Sequence, residues 1–203
     1  MAYRYDIFIS YKRHPETLEW IKKHFKPLLE LRVGLALGSD PTIFVHEVQQ
    51  QIPAGAVWPQ VLGNELAASK VLVALWTRTF VNSVWCAKEM SYMLGRQGAL
   101  AAGAKYAFVI PAILRDNSPL PQTLQFIQSM DIKCCYNTRM RVDSDKAEEL
   151  SEVIDRHADG IASAIEQAPP WNPAWPQQAA DAFFNQLYQA QAPIQSEPPR
   201  FQP

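Results

Sequence analysis

Apolar positions along this chain fall into short continuous runs, separated by longer stretches with helical spacing. Tyr5–Tyr11 reads Tyr-Asp-Ile-Phe-Ile-Ser-Tyr, a β-branched and aromatic run that predicts a buried strand. Lys12, Arg13, His14 and Pro15 stop it. From Pro15 to about Leu35, the positions Leu18, Ile21, Phe25, Leu28, Leu29 and Leu31 roughly follow a helical period, with a kink expected at Pro27. Pro41–Val48 predicts a second strand, and Gln49–Trp58 a loop centred on Ile52-Pro53-Ala54-Gly55. Val61, Leu62 and Leu66 predict a helix over Trp58–Ser69. Lys70–Trp76 is apolar on both faces and predicts a third strand. Thr77–Val84 reads as a polar loop and Trp85–Leu94 as a helix. Tyr106–Leu114 and Asp131–Tyr136 predict the fourth and fifth strands, with only weakly helical sequence between them. Ser144–Gln167 predicts a long amphipathic helix on Leu150, Val153, Ile154, Ile161 and Ile165, with Glu148 and Glu149 in its first turns.

Strands that are buried on both faces and alternate with helices make a parallel sheet wrapped by helices. From Ala168 the composition changes: Pro169, Pro170, Pro173 and Pro176 crowd around Trp171 and Trp175. A boundary near Ala168 therefore divides a domain over 1–167 from a Pro-rich tail over 168–203, with a short helix expected at about Gln177–Gln191. Such an end reads as a linker, and the chain as the effector end of a longer protein with a fused or partner sensor module.

Composition narrows the function classes. A chain of 203 residues, 48% hydrophobic and 19% charged, has enough apolar material for one domain with a full core. Its formal net charge of -1 gives no global field to draw in nucleic acid or an anionic membrane, so neither is expected as a partner. The longest apolar runs, such as Val71–Trp76, are too short to span a bilayer. Three cysteines without a disulfide framework, and no signal-peptide core, point to a cytoplasmic protein. His14, His24, His46 and His157 are scattered, so no metal site is expected. No Gly-x-Gly-x-x-Gly follows a strand and there is no Walker loop, which disfavours redox use of a dinucleotide. A receiver domain needs clustered acids at the end of strand one, whereas Asp6 begins it.

Three segments together resemble the TIR (Toll/interleukin-1 receptor) family. Tyr5-Asp6-Ile7-Phe8-Ile9-Ser10-Tyr11 looks like its opening strand. Ile43-Phe44-Val45-His46-Glu47, followed by Ile52-Pro53-Ala54-Gly55 and Trp58, is similar to its second strand and BB loop. Ser83-Val84-Trp85-Cys86-Ala87-Lys88-Glu89 looks like its Ser-x-Trp-Cys-x-x-Glu segment. The resemblance covers about residues 3–167. It departs at Val45 and His46, where the family often has Asp, and at Gly55-Ala56, where it often has Gly-Asp. It implies an α/β flavodoxin-like fold: a five-stranded parallel sheet, order 2-1-3-4-5, with helices on both faces. It also implies self-association, here through the BB-like loop Ile52–Trp58, and for many bacterial members cleavage of NAD⁺ by a glutamate that aligns with Glu89.

The residues permit that chemistry. The nicotinamide of NAD⁺ leaves as a neutral base from a cationic pyridinium, so no general acid has to protonate it, unlike an ordinary glycoside. A lone carboxylate, Glu89, suffices to stabilise the developing oxocarbenium charge. Trp85 lies one helical turn before Glu89 and offers a wall against water and a face for a cationic ring. Strand order 2-1-3-4-5 places the ligand-binding switch point between strands one and three. Ser10, Tyr11, Lys12 and Arg13 would then form the opposite wall, with His46 beside a ribose hydroxyl. The plainer readings are that Lys12 and Arg13 are solvated, Tyr11 and Phe44 are core, His46 makes a structural hydrogen bond, and Arg78 and Lys88 are surface charges rather than diphosphate partners. The expected function is an NAD⁺ nucleosidase in bacterial immune or stress signalling, with NAD⁺ as substrate, no cofactor, and nicotinamide plus ADP-ribose or a cyclised form as products. The alternatives are a non-enzymatic TIR scaffold acting by protein contact, and a related fold that releases a different base.

Overall fold

The computed structural model describes residues 2–46, 58–100, 106–115, 120 and 124–179. The first strand, β1 (Tyr5–Ser10), is buried over its last four residues, as an apolar run flanked on both sides demands. It pairs in parallel with β2 (Ile43–Val45), Ile9 opposite Val45, and with β3 (Ser69–Trp76), Ser10 opposite Ala74. β3 pairs with β4 (Val109–Ile113), which pairs with β5 (Met130–Asp131). The sheet order is β2-β1-β3-β4-β5, as the resemblance implies.

The chain steps one way from β1 to β2 and the other way from β2 through β5. Right-handed crossovers therefore put the helices that follow β1 on one face and those that follow β2 and β3 on the other. On the first face, α1 (Pro15–Trp20), a π-helical turn (Ile21–Phe25) and α2 (Lys26–Leu37) run together, and α6 (Asp145–Glu166) packs against α2. Arg32 ties the two by donating to Ser151 Oγ at 3.0 Å. On the second face lie α3 (Trp58–Ala67) and α5 (Val84–Leu100). α2 ends at Gly38, whose φ of 69° is left-handed and suits a residue without a Cβ.

The helix expected over Trp85–Leu94 runs on to Leu100 and the strand expected from Tyr106 begins at Val109; three further departures have a local cause. The expected kink at Pro27 is a π turn just before it, where the Lys26 N–H reaches back to the Ile21 carbonyl. A proline ring in a regular helix would crowd the carbonyl four residues back, and widening the preceding turn relieves that. Thr77–Val84 is not simply loop: it holds a short helix, α4 (Arg78–Val81), because Thr77 Oγ1 accepts the Phe80 N–H at 3.0 Å and caps a turn. The fifth strand is only Met130–Asp131, since the Cys135 and Tyr136 N–H groups both return to the Ile132 carbonyl at 3.1 Å and close a turn.

Trp20, Phe25, Phe8, Trp76 and Phe80 anchor the core. The Pro-rich stretch returns to the domain. Residues 175–179 are helical, and Trp175 and Ala179 are buried with Ala67 beside Tyr3 and Tyr92. The expected helix at Gln177–Gln191 lies, from residue 180 on, outside the described residues, as do residues 52–57 of the BB-like loop. No helix among the described residues is long and apolar enough to cross a membrane.

Candidate active site

α5 buries a stripe at helical spacing: Cys86, Glu89, Met93 and Arg96. An acid in that stripe is out of place unless it has a partner, because burying a carboxylate alone is costly. The partner comes from the carboxyl end of β1. Ser10, 1% exposed, donates its hydroxyl hydrogen to Glu89 Oε2, and Glu89 is itself 6% exposed. Burial pushes the Glu89 carboxyl up to about 7, against the opposing pull of the Ser10 hydrogen bond and the Arg13 charge. Ser10 and Glu89 thus meet between β1 and β3, at the switch point of the sheet.

The loops after β1 and β2 are tied beside this pair. The Tyr11 hydroxyl donates to the His46 carbonyl at 2.9 Å, and Arg13 Nη2 lies 3.5 Å from His46 Nε2. Burial first, and the Arg13 charge second, lower the His46 pKa to about 4, so its ring is neutral at physiological pH. Tyr11 is buried and Phe44 stacks on Phe8, with centroids 5.1 Å apart, so both rings belong to the core.

Trp85 is half-buried one turn before Glu89, and the Lys88 ammonium sits 5.0 Å from the centre of its ring. Lys88 is only 6% exposed, which corrects its reading as a surface charge; burial lowers its pKa. Arg78 is exposed. Cys86 is buried beside Glu89, and burial together with that carboxylate lifts its thiol to about 11. It is therefore a protonated thiol at neutral pH and a poor nucleophile.

Of the sequence-selected residues, the structure brings Ser10 to Glu89, and Tyr11 and Arg13 to His46. Lys12 is exposed and faces a cavity of about 890 Å³ that Tyr11 and Arg13 also line. A cavity of about 420 Å³ between β2 and α3 includes His46 and Phe44. Glu89 lines neither. Sequence reasoning left Cys86 without a role, although it stands three residues before Glu89 and so shares its helix face. It also overlooked Arg115, Lys133 and Lys146, which reach the larger cavity from far along the chain.

A metal grouping not expected from the sequence occurs at Cys134, Cys135 and Glu149, whose ligand atoms lie within 4.8 Å of one another. The Cys135 thiol is raised to about 12, chiefly by burial, which works against the thiolate a metal needs.

No curated protein matches the chain. A family model described as TIR domain matches residues 7–150, from β1 into the first turns of α6. That stretch is well over half of the chain and includes β2 to β5, β1 from Ile7 onward, Ser10 and Glu89. The chain therefore belongs to the TIR domain family.

Proposed function

We propose that this TIR domain hydrolyses the nicotinamide–ribose bond of NAD⁺ and that this activity is its output in immune or stress signalling. A signalling role follows from family membership, and TIR domains generally self-associate. The observation that carries the enzymatic reading is the buried Glu89 carboxyl, held by Ser10 at the carboxyl edge of the sheet and titrating near neutrality. In the reaction the C–N bond breaks with its electron pair going to nicotinamide. Water then adds to the ribose carbon and loses a proton, giving nicotinamide, ADP-ribose and H⁺. Capture by a group of the substrate itself instead of water gives a cyclised product. Ionised Glu89 opposes the positive charge that develops on the ribose. Ser10 orients the carboxyl, Trp85 walls one side, and the Arg13 charge favours the ionised form.

Nicotinamide release measured at high protein concentration tests this. Wild type releases nicotinamide, and Glu89→Gln, nearly isosteric, slows release by about 10²-fold or more. A specific observation favours a second reading: Glu89 is only 6% exposed and lines neither cavity, as befits a structural hydrogen bond in a domain that works by protein contact. Undetectable release in wild type and variant alike, from protein that still self-associates, selects that scaffold. Faster base release from another nucleoside than from NAD⁺ selects a different substrate.

A further inference from the structure

Had β5 run on to Tyr136, Cys134 and Cys135 would point to opposite faces of the sheet. The turn that follows the strand instead brings their Sγ atoms to 3.1 Å, about 1 Å more than the length of a disulfide bond. The two thiols differ in setting. Cys134 is exposed, while Cys135 is 0% exposed and belongs to the core. Lys146 and Glu149, both exposed and one turn apart on α6, flank them. Lys146 donates to the Cys134 carbonyl at 2.6 Å, and a Glu149 carboxylate oxygen lies within 4.8 Å of both sulfurs. The third thiol, Cys86, is buried elsewhere, on α5 beside Glu89.

A bond between neighbours suits a switch better than a staple. Across the trans Cys134–Cys135 peptide the Cα atoms lie about 3.8 Å apart, less than the roughly 4.4–6.8 Å of relaxed disulfides. Such a bridge is strained and readily reduced, and its tiny loop takes almost no entropy from the unfolded chain. Exposure assigns the roles: Cys134 meets an oxidant arriving from solvent, and Cys135, whose thiol keeps its proton, is the resolving partner. Tyr136 carries the change onward, because its hydroxyl lies 2.9 Å from Thr17 Oγ1 and its ring packs edge-on against Trp20, both on α1. We propose that Cys134 and Cys135 form a reversible modification site, at which a peroxide converts the two thiols into a vicinal disulfide and so loosens α1. The Cys134 sulfur attacks one peroxide oxygen, the O–O bond breaks, and water departs with the thiol proton, leaving a sulfenic acid. The Cys135 sulfur then attacks the Cys134 sulfur, and hydroxide leaves with the Cys135 proton as a second water. Hydrogen peroxide gains the two electrons that the thiols lose.

Peptide mass spectrometry of the full chain, treated with hydrogen peroxide while folded and then alkylated in denaturant, tests the proposal. Cleavage after Lys133 and Arg139 releases residues 134–139, which hold both thiols and no methionine. In treated wild type this peptide is unalkylated and lighter by two hydrogens, Cys86 is alkylated, and excess glutathione restores both thiols. Cys135→Ser stops at a sulfenic acid on Cys134, which a dimedone probe captures. Cys134→Ser, at an exposed position, forms no bridge and keeps the result readable should the core variant fold poorly. Hydrogen exchange of the α1 amides speeds up in the bridged protein and recovers on reduction, while treated Cys134→Ser shows no change. Four results overturn the proposal: both thiols still open to alkylation after treatment, a bridge that joins two chains, a bridge that survives excess glutathione, or α1 amides that exchange alike in both states. None of these readouts uses turnover, so they stand whether or not the chain releases nicotinamide.

Discussion

A carboxyl that titrates near 7 is half ionised where the protein works, so small changes around Glu89 move its charge across the useful range. Oxocarbenium stabilisation needs the ionised form. Nicotinamide release should therefore climb with pH through about 7 and level off above it. The Ser10 hydrogen bond and the Arg13 charge both favour the carboxylate, so removing either raises the pKa further. Ser10→Ala and Arg13→Gln should each carry the rising limb to higher pH, and the pH profile of nicotinamide release measures it. A loss of rate with the limb unmoved would mean that some group other than Glu89 titrates. His46, neutral down to about pH 4, contributes no limb in this range.

At the scale of elements, α5 links the candidate site to the rest of the fold. Its amino-terminal half carries Trp85 and Glu89, and its later turns carry Arg96, which donates to the Ser69 and Lys70 carbonyls at the start of β3, at 2.9 and 2.6 Å. The Arg96 guanidinium also lies 4.5 Å from the Trp175 ring centre, so the segment after α6 is fastened to the helix that bears the acid. Trp175→Ala removes a ring only 5% exposed and uncovers Arg96, Tyr3 and Ala67. It should lower unfolding free energy by about 3 kcal/mol in urea titrations, and a change within error would mean that the segment rests on the domain without supporting it. β1, β3 and α6 were legible in the sequence because a continuous apolar run and a clean helical stripe each allow one burial pattern. The bounds of β5 and the presence of α4 were not, because local side-chain and turn hydrogen bonds decided them: Asp131 Oδ1 accepts the Lys133 N–H at 3.2 Å, and Thr77 caps α4. The Ser83–Glu89 segment singled out Glu89, and the structure buries it against Ser10. The burial of Lys88 and the convergence of Arg115, Lys133 and Lys146 depend on how distant segments meet, which spacing does not encode.

Across the whole molecule, the two edges of the sheet carry opposite electrostatic terms. At the amino edge Asp6 accepts from the Thr42 N–H at 2.8 Å and the Thr42 hydroxyl at 2.9 Å, and pairs with Lys70 at 2.7 Å, clamping β1 between its neighbours. Burial alone would raise the Asp6 pKa, but Lys70 and Thr42 outweigh it and the net shift is downward. The native state therefore binds fewer protons there than the unfolded chain, and this stabilisation is present above the unfolded value of 3.8 and lost as pH falls through the native one. At the carboxyl edge Glu89 is raised from 4.5 to about 7, so the native state keeps a proton that the unfolded chain releases between those values. Stability falls as pH rises across that window, and above it the full cost, about 3 kcal/mol, is in force. The paired prediction has opposite signs. Glu89→Gln should be more stable than wild type above pH 7, with the gain shrinking to nothing as pH drops to 4.5. Asp6→Ala should be less stable by about 1–3 kcal/mol throughout that range, with the pH profile of nicotinamide release unchanged. Urea unfolding of the three proteins across pH reads both. A Glu89→Gln variant no more stable than wild type above pH 7 would place the Glu89 carboxyl in a solvated setting and leave no poised acid at the switch point.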